Sequence, residues 1–214
     1  SAASDVYKRQ DQALQTLERA TSTLELVKAT QDLCALNDLE AAKPLVKVLG
    51  FNNPAVAAVA TQGLIQLGRD TIPILLVSLD ARNYGARAWV VKVIAALRDP
   101  RGLDLLEHAL QADIAPSVRR SATRGLADLE LSEDAAHDQL LRCFEGLLKA
   151  VRDDEWVVRY AAAYGLEQRL NSAAVSAHLA EQGRAALNQL ASDAEGVRVV
   201  QLRALKALQR LNAG

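Results

Sequence analysis

Apolar side chains return along this chain every three or four residues, the period that turns one face of a helix toward a core. In "PRGLDLLEHALQA" those positions are Leu103, Leu106 and Leu110. The same spacing runs through "DLEAAKPLVKVLG", "DTIPILLVSL", "EDAAHDQLLRCFEGLLKAV" and "SAAVSAHLAEQGRAALNQLA". No stretch reads as a strand. The pattern predicts helices separated by short polar turns, with Asn53-Pro54 and Asp99-Pro100 as helix starts and Gly68 as a helix stop.

Between these segments lie five stretches that resemble one another: "NPAVAAVATQGLIQLG", "NYGARAWVVKVIAAL", "APSVRRSATRGLADL", "EWVVRYAAAYGLEQRL" and "EGVRVVQLRALKALQRL". Each opens on a turn or capping residue, reaches a small or branched apolar residue, and usually has arginine next. Anchored on Val56, Ala86, Val118, Val158 and Val197, the steps are 30, 32, 40 and 39 residues. A weaker unit, "LELVKATQDLCALN", precedes them. Helix pairs at this spacing predict an all-α chain, an α-solenoid of about five to six HEAT-like repeats. One pair cannot bury its own apolar face, so its neighbours must complete the core. Ala60, Ala122, Ala161 and Ala162 would let successive helices approach closely. Each repeat is read here as opening on its arginine-bearing helix.

Residues 1–10, "SAASDVYKRQ", lie outside this pattern, and no helix is predicted from them. Asp5 to Gln10 can be back-translated to a string resembling a transposon-end adapter of sequencing libraries. The expectation is a translated adapter over 1–10, a single repeat domain over 11–214, and a true start that lies upstream.

Composition narrows the function classes. Half the residues are apolar, yet aromatics are 4% and methionine is absent, so Ala, Leu and Val must fill the core. A formal net charge of −1 provides no global field for nucleic acid or an anionic membrane. No apolar run approaches the roughly eighteen residues of a membrane span. Cys34 and Cys143 sit in apolar helix faces with no metal or redox spacing, which suggests inert thiols in a reducing cytosol. His108, His137 and His178 are scattered over separate helices and read as polar-face residues. No phosphate loop, zinc pattern or nucleophile elbow is present, so no metal or tightly bound cofactor is expected.

Arg87, Arg119, Arg159 and Arg198 occupy one repeat slot, where a ladder to acidic turn residues is the structural expectation. Arg120 and Arg124 add cationic charge within about one helical turn. Tyr84, Trp89, Trp156, Tyr160 and Tyr164 fall in just two helices, as core packing or as a platform for a flat conjugated ligand.

The stretch "DARNYGARAWVVKVIAALRDPRGLDLLEHALQADIAPSVRRSATRGLADL", with "DDEWVVRYAAAYGLEQ", resembles the F-type (beta) subunits of the cyanobacterial E/F phycobilin lyases, in particular those serving the phycocyanin α subunit. "NYGARAW", "PSVRR" and "WVVRYAA" are its specific parts. The resemblance implies a heterodimer with an E-type subunit. It also implies covalent attachment of phycocyanobilin, as substrate, through a thioether to a cysteine of the acceptor protein, in the cytosol during phycobilisome assembly. The residues it singles out are Asn83, Tyr84, Arg87, Trp89, Arg119, Arg120, Trp156, Arg159 and Tyr160, as bilin- or partner-binding candidates, with Arg120 facing a propionate. No adjacent His-Cys pair is present, so ligation without isomerisation is implied. The alternatives are a lyase or chaperone for another phycobiliprotein such as phycoerythrin, and a non-enzymatic protein-binding adaptor.

Overall fold

The computed structural model describes residues 2–78, 84–131, 136–172 and 175–213. Among these residues there are twelve α-helices and no strand. They are α1 (Ala2–Arg19), α2 (Thr23–Ala35), α3 (Ala42–Leu49), α4 (Pro54–Leu67), α5 (Ile72–Val77) and α6 (Tyr84–Leu97), then α7 (Leu103–Ala112), α8 (Pro116–Asp128), α9 (Ala136–Ala150), α10 (Trp156–Leu170), α11 (Ala177–Ala191) and α12 (Arg198–Ala213). The chain is all-α, as the three- and four-residue periods predict. Its helices group into two compact units, Ser1–Leu97 and Arg98–Gly214.

In the first unit α2, α4 and α6 form one layer, while α1, α3 and α5 pair with them from the other. Leu33, Leu45, Val48, Leu64, Val91 and Ile94 are fully buried at their junction. Helix α2 begins with a capping box, in which Ser22 accepts from the Glu25 N–H at 3.2 Å while Glu25 accepts from the Ser22 N–H at 3.1 Å. Asn53 accepts from the N–H groups of Ala55 and Val56 ahead of Pro54, and Gly68 ends α4 with φ +82°, which favours glycine. Both ends stand where the sequence marks them. Between α2 and α4 the backbones approach so closely that a Cβ on Gly63 would lie 2.2 Å from the Cys34 sulfur.

The second unit repeats the scheme, with α8, α10 and α12 side by side and α7, α9 and α11 packed against them. Leu106, Leu126, Phe144, Leu147, Val158, Leu166 and Leu187 fill its core. Ala122, Ala162 and Ala204 are fully buried in the three side-by-side helices. Their small side chains set the close spacing of that layer, which a larger residue would widen.

Two expectations need correction. Of their two neighbours along the chain, α8 and α10 each pack more extensively with the helix before, so the arginine-bearing helix closes its repeat rather than opening it. The turn chemistry explains this: Asp113 accepts from the Ala115 N–H at 2.9 Å and locks the short link from α7 to α8, whereas the link from α8 to α9 is longer. Second, a helix runs through residues 2–10, where none was expected. Ala2, Ala3, Lys8, Arg9 and Gln10 have favourable helix propensities, which an apolar-period test does not register. The buried positions of α1 among its described side chains are Ala13 and Leu17.

Candidate functional site

Arg119 and Arg159 show what the recurring arginine does. The Arg119 guanidinium donates to both Asp153 oxygens, at 2.7 and 2.9 Å, and to the carbonyls of Asp113 and Ile114, at 3.0 and 3.2 Å. Arg159 repeats this one step on, donating to Glu195 at 2.7 and 2.8 Å and to the carbonyls of Asp153 and Asp154 at 2.8 and 2.9 Å. The expected ladder is therefore present, and it engages all three guanidinium nitrogens of both arginines. Burial would raise the Asp153 carboxyl, but the Arg119 and Glu155 hydrogen bonds and the nearby positive charges hold it below its ordinary range. Glu195 is held down first by its hydrogen bonds to Arg159, against the opposing effect of burial.

The last repeat departs from the sequence alignment. Val200, fully buried, takes the place of Val118 and Val158, so the arginine slot falls on Gln201 rather than Arg198. Gln201 donates to the carbonyls of Ser192 and Glu195 at 3.1 and 2.7 Å, the same backbone task without the charge. Arg198 is exposed and donates to the Gln201 side chain at 3.0 Å. A longer turn before α12 shifted the register, which anchoring on Val197 could not detect.

With those cations committed, a mixed surface remains on α8, α10 and α12. Trp156, Tyr160 and Tyr164 follow one another at single-turn spacing along α10; Trp156 is 44% exposed and the two tyrosines are partly exposed. Arg120 and Arg124 are exposed at single-turn spacing on α8. The Arg124 guanidinium carbon lies 3.7 Å from the centre of the Tyr164 ring, and Arg203 approaches that ring at 5.5 Å. The Tyr164 hydroxyl donates to Asp128 at 2.9 Å. On α12 Val199, Leu202 and Leu205 are exposed apolar residues. In the sequence Tyr164 belongs to an aromatic cluster and Arg124 to a charge cluster; only the stack joins them.

Under this surface lie groups with structural tasks. Glu167 takes hydrogen bonds from Arg203 and, at 3.1 Å, from Arg210. Burial would raise its pKa, but the two arginines keep it lowered. Arg169 is buried and donates twice to the Leu126 carbonyl, at 3.0 and 2.6 Å, in the last turn of α8. A cation there suits the negative end of the helix dipole. Nearby, burial pushes the Cys143 thiol up to about 11. The Cys34 thiol, half-buried, is also raised by burial. His108, His137 and His178 are exposed, and no group of His, Cys, Asp and Glu suited to a metal occurs among the described residues.

The remaining candidates belong to the first unit. Trp89 on α6 is half-buried, with the Lys92 ammonium 5.1 Å from its ring centre. Arg87 is half-buried and engaged. Tyr84 is the first residue of α6, but its side chain lies outside the described residues, as does Asn83. Two open grooves, about 490 Å³ between α2 and α4 and about 570 Å³ between α9 and α11, contain none of the candidate residues. No helix among the described residues is long and apolar enough to cross a membrane.

Comparison with known proteins agrees with this architecture. A HEAT-repeat family profile matches residues 42–127. The chain is 54% identical to the bilin biosynthesis protein RpcF of Synechococcus sp. (strain WH8020), over 93% of this chain and 94% of that protein. It is 43% identical to a phycocyanobilin lyase subunit beta of Nostoc sp. (strain PCC 7120), covering 69% of this chain and 75% of the relative. Among solved structures, the complex of CpcE and CpcF of phycocyanin lyase from Nostoc sp. PCC7120 contains a chain with TM-score 0.70 and 39% identity, matched over 80% of this chain and 99% of its own length.

Proposed function

The chain belongs to the F-type, or beta, subunits of the phycocyanobilin lyases, and from that premise we propose that it joins an E-type subunit to attach phycocyanobilin to the phycocyanin α chain. The observation that carries this reading is the near full-length similarity to F-type lyase subunits, one of them solved together with its E-type partner. The work belongs to phycobilisome assembly in the cyanobacterial cytosol.

The reaction is an addition. The acceptor's cysteine sulfur forms a carbon–sulfur bond at the ethylidene group of the bilin A ring, and the thiol proton is balanced by protonation of the conjugated system. No group leaves. The nucleophile is the acceptor's own, which suits a chain whose two thiols are both raised in pKa by burial. A free cysteine with pKa about 8.5 is only a few per cent thiolate at neutral pH. Holding thiol and bilin in attack geometry therefore does most of the work, with effective molarities that reach about 10⁵ M.

We assign the α8–α10 surface to bilin or partner contact. Trp156 and Tyr160 supply aromatic faces, and Arg120 supplies a cation for a propionate. Arg119 and Arg159, whose guanidinium nitrogens are all engaged within the chain, position that surface. Tyr84, Arg87 and Trp89 are assigned to a second contact region on α6.

The test is co-expression with an E-type subunit, an apo-phycocyanin α chain and a phycocyanobilin supply. Covalent, zinc-fluorescent pigment that requires this chain is the expected result. Equal pigment without it would leave a protein-binding adaptor. Pigment formed only when an apo-phycoerythrin chain replaces the phycocyanin α chain would reassign the acceptor.

A further inference from the structure

Most guanidinium groups around the second unit's shared layer have an acid of their own: Arg119 holds Asp153, Arg159 holds Glu195, and Arg203 and Arg210 share Glu167. Arg120 and Arg124 do not. Both are exposed, and among the described residues neither pairs with a carboxylate. They stand four residues apart on α8, which sets their Cβ atoms about 5–6 Å from each other on one face.

The acid that could have neutralised Arg124 lies one turn further along the same helix. It is Asp128, and it is occupied by the Tyr164 hydroxyl at 2.9 Å. That bond fixes the ring on which Arg124 lies, at 3.7 Å. Burial and the hydrogen bond to Asp128 both raise the Tyr164 pKa, so the phenol remains a donor. Stacking uses the flat face of the guanidinium. Its N–H groups lie in the plane, so their edge stays available for an incoming anion. The cation is thereby held in place without being spent.

We propose that Arg120 and Arg124 form a two-point clamp that takes both propionate groups of a linear tetrapyrrole, with Tyr164 and Asp128 as the positioning residues of Arg124. This rests on the bilin reading above and adds the second contact and its support. The two propionates of a bilin project side by side from its two inner rings, and two adjacent cations recognise that pair better than one carboxylate alone.

The experiment uses the complex of this chain with an E-type subunit, titrated by absorbance with phycocyanobilin and with its dimethyl ester, which has the same chromophore without the two charges. The wild-type complex is expected to favour the free acid by about tenfold or more, the scale of one charge-assisted contact. Arg124→Ala should remove most of that preference while leaving ester binding and the melting temperature unchanged. Arg120→Ala combined with Arg124→Ala should abolish it. Tyr164→Phe releases Asp128 to pair with Arg124, and should reduce the free-acid preference without changing ester binding, an effect that a purely structural role would not produce. An unchanged preference in Arg124→Ala overturns the clamp and leaves bilin binding intact. A wild-type complex that binds neither pigment sinks the bilin reading itself.

Discussion

Arg119 on α8 grips both oxygens of Asp153, 34 residues further along the chain, while the same Asp153 accepts the Glu155 N–H at the start of α10. One carboxylate therefore ties two repeats together and organises a helix start. Asp153→Ala is expected to destabilise the protein by about 3 kcal/mol, since it strands a part-buried guanidinium and removes a turn contact. Arg119→Ala and the double variant complete a cycle, and urea unfolding should return a coupling of more than about 1 kcal/mol. Additive losses would mean that the two side chains act independently.

Acid should dissolve this ladder. Asp153, Glu167 and Glu195 all have native pKa values below their ordinary ones. A depressed carboxylate contributes stability that is fully present above its unfolded pKa, about 4, and is lost as pH falls through the native value. Stability is thus expected to be level between about pH 5 and 7 from these groups and to fall steeply below about pH 4. Replacing Glu195 by Gln should flatten that fall, as thermal melts at a series of pH values would record.

The contact between Gly63 and Cys34 gives a packing test in the first unit. A methyl group on Gly63 would meet the Cys34 sulfur, so Gly63→Ala is expected to cost about 1–3 kcal/mol. Cys34→Ala removes the obstructing atom, and the double variant should recover most of the loss. Denaturant midpoints decide the matter, and a failure of rescue would show that the Cβ retained at position 34, at 3.2 Å, or the Leu45 methyl, at 3.3 Å, sets the limit.

Deleting residues 1–10 tests whether that stretch matters to the fold. The buried side chains described in α1 are Ala13 and Leu17, both beyond it. The melting temperature is expected to move by less than about 2 °C, equivalent to roughly 0.5–1 kcal/mol at this chain length.

Much of this was legible from spacing. Helices, capping residues and the repeat were visible because apolar period and turn chemistry are local, as Asn53 and Gly68 illustrate. The arginine ladder was legible because Arg119 and Arg159 recur beside acidic turns. What escaped were relationships between repeats. The slot on Gln201 was hidden by a turn of different length, and the pairing of α7 with α8 depends on which turn is tighter. Arg169 under the end of α8 and Arg124 on Tyr164 join residues 43 and 40 positions apart, and no linear pattern marks either meeting.

The alanines at 122, 162 and 204 have a further reach. Solvent never meets them, yet they fix how far apart α8, α10 and α12 run, and so how Arg124 meets the Tyr164 ring on the next helix. The interior works as a ruler for the outside. A single added methyl at Ala162 would press those helices apart and disturb the fit of Arg124 on Tyr164 from a position that lies wholly inside. Maps of function drawn only from surface substitutions would overlook where that spacing is written.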